Sequence, residues 1–110
     1  MTWPHERAHF RIEYPTAARP RILIQDVLHE VLDLSEQGIR WRMSDAVRPA
    51  PGDIVSGTIR FRRGDTVSVC GVVLRLAGDE ASAHLSEGVP YKVILDEQRF
   101  LRERFRGMAW

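Results

Sequence analysis

Two short groups of residues in this chain have types and spacing suited to chemistry. Arg7 and Arg11 stand four apart in Arg7-Ala8-His9-Phe10-Arg11, an R-x-x-x-R. Asp33, Ser35 and Gly38 stand in Asp33-Leu34-Ser35-Glu36-Gln37-Gly38, a D-x-S-x-x-G. A guanidinium is a planar fork of N–H donors that fits a phosphate or the paired acceptors of a base edge. A carboxylate supplies the opposite, an acceptor for paired N–H groups, and a serine hydroxyl serves either way. Glycine lets backbone approach a ligand closely. The four-residue spacing brings Arg7 and Arg11 to one side of the chain, whether it is helical or extended, so both could converge on one anionic ligand. Each group alone also has a plain structural reading. R-x-x-x-R is then a pair of solvated arginines. D-x-S-x-x-G is then a tight turn, with Asp33 and Ser35 bonding backbone N–H groups ahead of them and Gly38 at positive φ.

No catalytic constellation accompanies these groups. The chain holds neither a G-x-S-x-G elbow nor a G-x-x-x-x-G-K-[ST] phosphate loop. His5 and His9 have the i, i+4 spacing of a helical metal pair, but no third ligand lies near and Pro4 interrupts the segment. His29 and His84 fall in strand patterns and are read as structural or surface residues; Asp79 and Glu80 are turn acids. The single cysteine, Cys70, excludes an intramolecular disulfide and a Cys-based zinc site. Its apolar surroundings mark it as a small buried hydrophobe. The expectation is a binding protein with no enzymatic activity, no metal and no cofactor.

Composition sets the frame. With 44% apolar and 28% charged residues, the 110-residue chain is that of an ordinary globular protein, most simply one domain. No signal segment opens it and no apolar run approaches membrane-spanning length, so a cytoplasmic protein without membrane insertion is expected. The net charge of +1 is unevenly spread. Both ends are mildly basic, and residues 22–91 carry seven arginines against ten acids. That balance argues against a long nucleic-acid tract and leaves room for a small anion held by a few arginines.

Periodicity supplies the elements that must position these side chains. Leu28, Leu32 and Leu34 alternate with His29 and Asp33 before the D-x-S-x-x-G stretch, and Ile39, Trp41 and Met43 alternate with Arg40 and Arg42 after it. The stretch therefore joins two half-buried strands, with Trp41 in the core. Short apolar runs at 10–14 and 22–24 precede it, separated by a bend at Arg19-Pro20. Residues 27–32 continue toward the turn. Pro49, Pro51 and Gly52 make 44–53 a loop. Residues 54–62 and 67–76 form a hairpin about Arg63-Gly64-Asp65, with Val55, Ile59 and Phe61 on one side. Residues 77–80 turn again and 81–85 form a last strand. From Pro90 the period changes. Tyr91, Ile94, Leu95, Gln98, Leu101, Arg102 and Phe105 make one stripe of a helix over 90–105, with Lys92, Asp96, Arg99 and Glu103 toward solvent. The predicted fold is mainly β: a small six-stranded antiparallel β-barrel, which leaves no free edges, with a C-terminal α-helix. One domain spans 1–110, as a flexible arm (1–11), a barrel (12–88) and the helix (89–106).

In this order, with a first strand between them and a barrel and helix after them, the two motifs resemble those of the PilZ domain, the bacterial receptor module for cyclic di-GMP. The resemblance runs from about Glu6 to Phe105 and implies a stand-alone split-barrel PilZ protein. It implies that Arg7 and Arg11 hold phosphates and guanine edges, that Asp33 accepts from a guanine amide edge, that Ser35 reaches a phosphate or base, and that Gly38 admits the backbone. Leu34, Glu36 and Gln37 fill variable positions. The chemistry agrees, because guanine O6 and N7 form an acceptor pair that an Arg fork fits. In this family a basic residue just before the first motif arginine favours a stacked ligand pair; here it is Glu6, so one ligand per chain is expected. The implied mechanism is ordering of the apolar-poor arm 1–11 against the barrel beside the 33–38 turn, which changes the surface shown to a downstream protein partner. Two alternatives differ in class. One is a PilZ-like adaptor that docks proteins through its helix with no physiological nucleotide. The other is a barrel for single-stranded nucleic acid, which needs a basic aromatic groove. The acidic middle of the chain ranks it lower, and no DNA or RNA partner is expected.

Overall fold

Alternating apolar and polar residues build seven strands, and a shift to helical period builds one α-helix, in the computed structural model, which describes residues 11–105. The strands are β1 (Ile12–Glu13), β2 (Arg21–Ile24), β3 (Val27–Leu34), β4 (Gly38–Arg42), β5 (Ile54–Arg60), β6 (Thr66–Ala77) and β7 (Glu80–Glu87). A 3-10 turn, Thr16–Ala18, lies between β1 and β2, and helix α1 is Tyr91–Arg104. All strand pairs are antiparallel, and the order β3-β2-β5-β6-β7-β4 closes through a β3–β4 pairing. The six-stranded barrel with its C-terminal helix is thus present, and β1 adds a short seventh strand to β3. Trp41, Ile22, Ile59 and Leu85 fill the barrel, and Ile94 and Leu101 of α1 join the same core. Arg7, Glu6, His5, His9, Trp3 and Trp110 lie outside the described residues, as does nearly all of the arm.

Three local features depart from the period-2 and helical readings. The first is a hairpin between β2 and β3, turned by Gln25 and Asp26, both at positive φ (50° and 64°). Two consecutive left-handed residues match the right-handed twist of the strands they join, as in a type I′ turn. No glycine marks the site, so the sequence does not announce it.

The second is a β-bulge in β3. Val31 pairs with Trp41 and Asp33 with Arg40, so β3 advances two residues where β4 advances one. Ahead of the bulge, His29 and Val31 face inward with their partners Ile22 and Trp41. Beyond it, Leu34 faces inward with Ile12 and Ile39. The expected leucine face is therefore split: His29 is 3% exposed and Leu28 42%. Burial lowers the pKa of His29 from its ordinary value. Cys70 is likewise only half-buried, since β6 alternates and its neighbours Val69 and Gly71 take the inward positions.

The third is the buried line of α1. It runs through Ile94, Glu97 and Leu101, whereas Leu95 and Arg102 are exposed. The stripe is rotated because Glu97, 1% exposed, is fully engaged. Tyr14 Oη donates to its Oε1 at 2.7 Å, and Arg63 Nε donates to its Oε2 at 2.7 Å. Arg63 also donates to Asp65 at 2.7 Å. Burial and the Glu97 carboxylate push the Tyr14 phenol well above its ordinary pKa, so it stays a neutral donor. Burial pulls Arg63 down, and its hydrogen bonds to Glu97 and Asp65 outweigh that and raise it.

Candidate functional site

The β3 bulge decides what the D-x-S-x-x-G stretch can do. Without the extra residue, Asp33 would share the inward face of His29 and Val31. With it, Asp33 turns to the outer face of the sheet, the re-aiming that bulges accomplish beside functional sites. A row of cross-strand partners then crosses five strands: Glu13 opposite Asp33, Asp33 opposite Arg40, Arg40 opposite Ser82, and Ser82 opposite Arg75.

This row floors a groove of about 760 Å³. Arg11, Asp33, Ser35 and Gly38, the four described members of the two motifs, all line it. Arg11 stands immediately before β1, which pairs beside Asp33. Asp33 and Ser35 are largely buried. Ser35 N–H donates to the Gly38 carbonyl at 2.9 Å, closing the turn. Gly38 itself is not at positive φ, contrary to the tight-turn reading. Its need is for space, because a Cβ there would come within 3.1 Å of Ser35 Oγ. The two middle carbonyls of the turn reach elsewhere. Glu36 accepts from Val89 N–H and Gln37 from Leu85 N–H, each at 2.8 Å. Gly88 lies so close beneath that a Cβ would overlap the Glu36 carbonyl oxygen.

Charge in the groove is organised around Arg40, which the motifs do not include. Its Nε donates to Asp33 Oδ2 at 2.7 Å and its other arm donates to Glu80. The Asp33 hydrogen bond raises the Arg40 pKa, despite partial burial, so the guanidinium is permanently charged. Arg75, Leu74 and His84 complete the far side. A period-2 count from Gly38 places Arg40 on the same face, so it was within reach of the sequence; Arg75 and Leu74 needed the strand order. A second groove of about 490 Å³, beside Val47, Arg48 and Ile54, contains no motif residue. Among the described residues, no group of three or more His, Cys, Asp or Glu is placed to hold a metal, and no helix is long and apolar enough to cross a membrane.

The family model for the PilZ domain matches residues 5–105. The chain belongs to the PilZ family. PilZ domains are binding and adaptor modules. Among solved structures, the Bacillus subtilis inhibitor of motility MotI/DgrA is similar at 17% identity and a TM-score of 0.65, covering 90% of this chain and 51% of that one. An uncharacterised Legionella protein is similar at 16% identity and a TM-score of 0.62, covering 89% of this chain and all of that one. The chain thus spans about half the length of the first and the whole of the second. A search of curated proteins returned no match.

Proposed function

We propose that this PilZ chain is a receptor for cyclic di-GMP. The observation that carries the reading is the convergence of Arg11, Asp33, Ser35 and Gly38 on one groove, whose volume lies within the roughly 300–1,000 Å³ of small-ligand sites. Arg11, with Arg7 preceding it in sequence, supplies guanidinium forks for phosphate and guanine O6/N7. Asp33, held by Arg40, accepts from the guanine N1–H and N2–H edge. Ser35 reaches a phosphate or base, and the missing Cβ at Gly38 keeps the turn tight beneath it. Ligand binding orders the arm 1–11 over the groove and alters the surface met by a downstream protein partner. Glu6 opposes a second anionic ligand, so one dinucleotide binds per chain. Likeness to an inhibitor of motility bears on architecture and does not choose that partner.

The test is isothermal titration of the chain with cyclic di-GMP, with GTP as control. Micromolar or tighter binding of the dinucleotide alone, one per chain, is the expected result. No heat at two temperatures would leave the adaptor reading, in which Asp33 serves Arg40 and the exposed face of α1 docks a protein.

A further inference from the structure

The motif groove is lined from β1, β3, β4, β6 and β7, and β2 and β5 contribute nothing to it. Their outer face is a separate surface with an anomaly of its own. Ile22 and Ile59 are cross-strand partners and point inward, so Arg21 and Arg60, the next pair along, point outward together. Side chains so placed rise about 5 Å apart, and like charges there destabilise a sheet. Glu30, which stands opposite Arg21 on its other side, is engaged elsewhere, by Arg42 at 3.0 Å and Arg19 at 3.6 Å. Neither Arg21 nor Arg60 has a side-chain partner among the described residues. A third guanidinium joins them, since the exposed Arg62 donates its Nε to the Arg19 carbonyl at 3.0 Å, two residues before Arg21.

Both strands are internal to the closed barrel, so these arginines do not guard an edge. A repulsive pair kept on an internal, solvent-facing row marks a surface whose counter-charge comes from outside. Two residues along, Leu23 and Leu28 face each other on the same outer side, Leu28 at 42% exposure. The patch is therefore cationic with an apolar neighbour. A phosphate backbone has no use for the leucines, and single-stranded nucleic acid stacks on aromatic platforms, of which the outward positions of β2 and β5 hold none. A peptide that sets carboxylates beside an aliphatic side chain complements both halves.

We propose that the outer face of β2 and β5, with Arg21, Arg60 and Arg62 beside Leu23 and Leu28, is a docking surface for an acidic, leucine-bearing segment of a partner protein. The inference holds whether or not the motif groove takes cyclic di-GMP. The experiment follows a short fluorescein-labelled peptide alternating Glu and Leu by anisotropy, with and without cyclic di-GMP, against the wild type, Arg21→Glu, Arg60→Glu and a control of equal charge change, Arg48→Glu in the 44–53 loop. The wild type should bind, less tightly as salt rises. Arg21→Glu and Arg60→Glu should each weaken binding roughly tenfold or more, and Arg48→Glu should leave it unchanged. The peptide with Ser in place of Leu should bind several-fold more weakly. Arg60→Glu should also raise the melting temperature by about 1–4 °C, because it turns a like-charged cross-strand pair into an opposite one. No binding by the wild type, or equal weakening by Arg48→Glu, overturns the surface. A lower melting temperature in Arg60→Glu overturns its premise, since Arg60 would then serve the fold. A thymidine oligonucleotide or phosphatidylglycerol vesicles bound more tightly than the peptide, and released by Arg60→Glu, would give the surface to nucleic acid or membrane and overturn the protein partner.

Discussion

Asp33 and Arg40 face each other across β3 and β4 and are joined by a 2.7 Å hydrogen bond on the outer side of the barrel. Arg40 is tied in turn to Glu80 on β7, so one guanidinium holds three strands and fixes the rotamer of the groove's best acceptor. Replacing Arg40 by Ala leaves a buried carboxylate without its cation. The expected cost is about 1–3 kcal/mol by chemical denaturation, together with weaker cyclic di-GMP binding. Arg40→Lys should recover part of the stability and less of the binding, because an ammonium is a point charge and cannot orient a carboxylate as a fork does.

Arg11 is exposed and makes no contribution to the core, so its loss should be felt by ligand alone. Arg11→Ala is expected to weaken cyclic di-GMP binding roughly 10- to 100-fold with an unchanged melting temperature, the loss of one or two charge-assisted hydrogen bonds. Arg7→Ala should behave alike. Normal binding by either variant in a calorimetric titration would refute the assignment.

Glu97 anchors α1 to the barrel through Tyr14 and Arg63. Glu97→Ala strands a half-buried guanidinium that keeps Asp65 and its place over the Phe61 ring, and should cost toward the low end of the roughly 3–5 kcal/mol seen for broken buried pairs. Tyr14→Phe should cost only about 1 kcal/mol, since it removes a single hydrogen bond. Urea melts of the two variants would separate the charge from the hydroxyl.

His29 gives the fold a pH dependence. Its pKa is lowered by burial, so the unfolded chain takes up a proton that the folded chain resists. The stability tied to neutral His29 is fully present above the unfolded value of about 6.5 and is lost as pH falls toward the depressed folded value. Denaturation midpoints should decline through that window in the wild type, and the slope should flatten there in His29→Phe.

Much of this architecture is legible residue by residue. The hairpin about Arg63-Gly64-Asp65, the loop 44–53 and the helix after Pro90 follow from turn chemistry and a change of period, which are local. The motif turn and its flanking strands are legible for the same reason. The β3 bulge is not, because an inserted residue has no side-chain signature, and it inverts the apparent roles of Leu28 and His29. The Gln25-Asp26 turn lacks the glycine that would declare it. Glu97 carries no local signal of its burial, because its partner Tyr14 stands 83 positions away in sequence. Apart from the Gln25-Asp26 turn, what escaped detection is non-local, and the groove depends on it: Asp33 faces the groove only through the bulge.

The turn that carries the motif is also bolted, main chain to main chain, to the segment leading into α1, through Glu36 to Val89 and Gln37 to Leu85 over the side-chain-free Gly88. A message passed from groove to helix along this route would be written in carbonyls and amides. It would be indifferent to which side chains occupy positions 36 and 37, and vulnerable to two kinds of change: a proline that deletes an amide at 85 or 89, or any Cβ at 88.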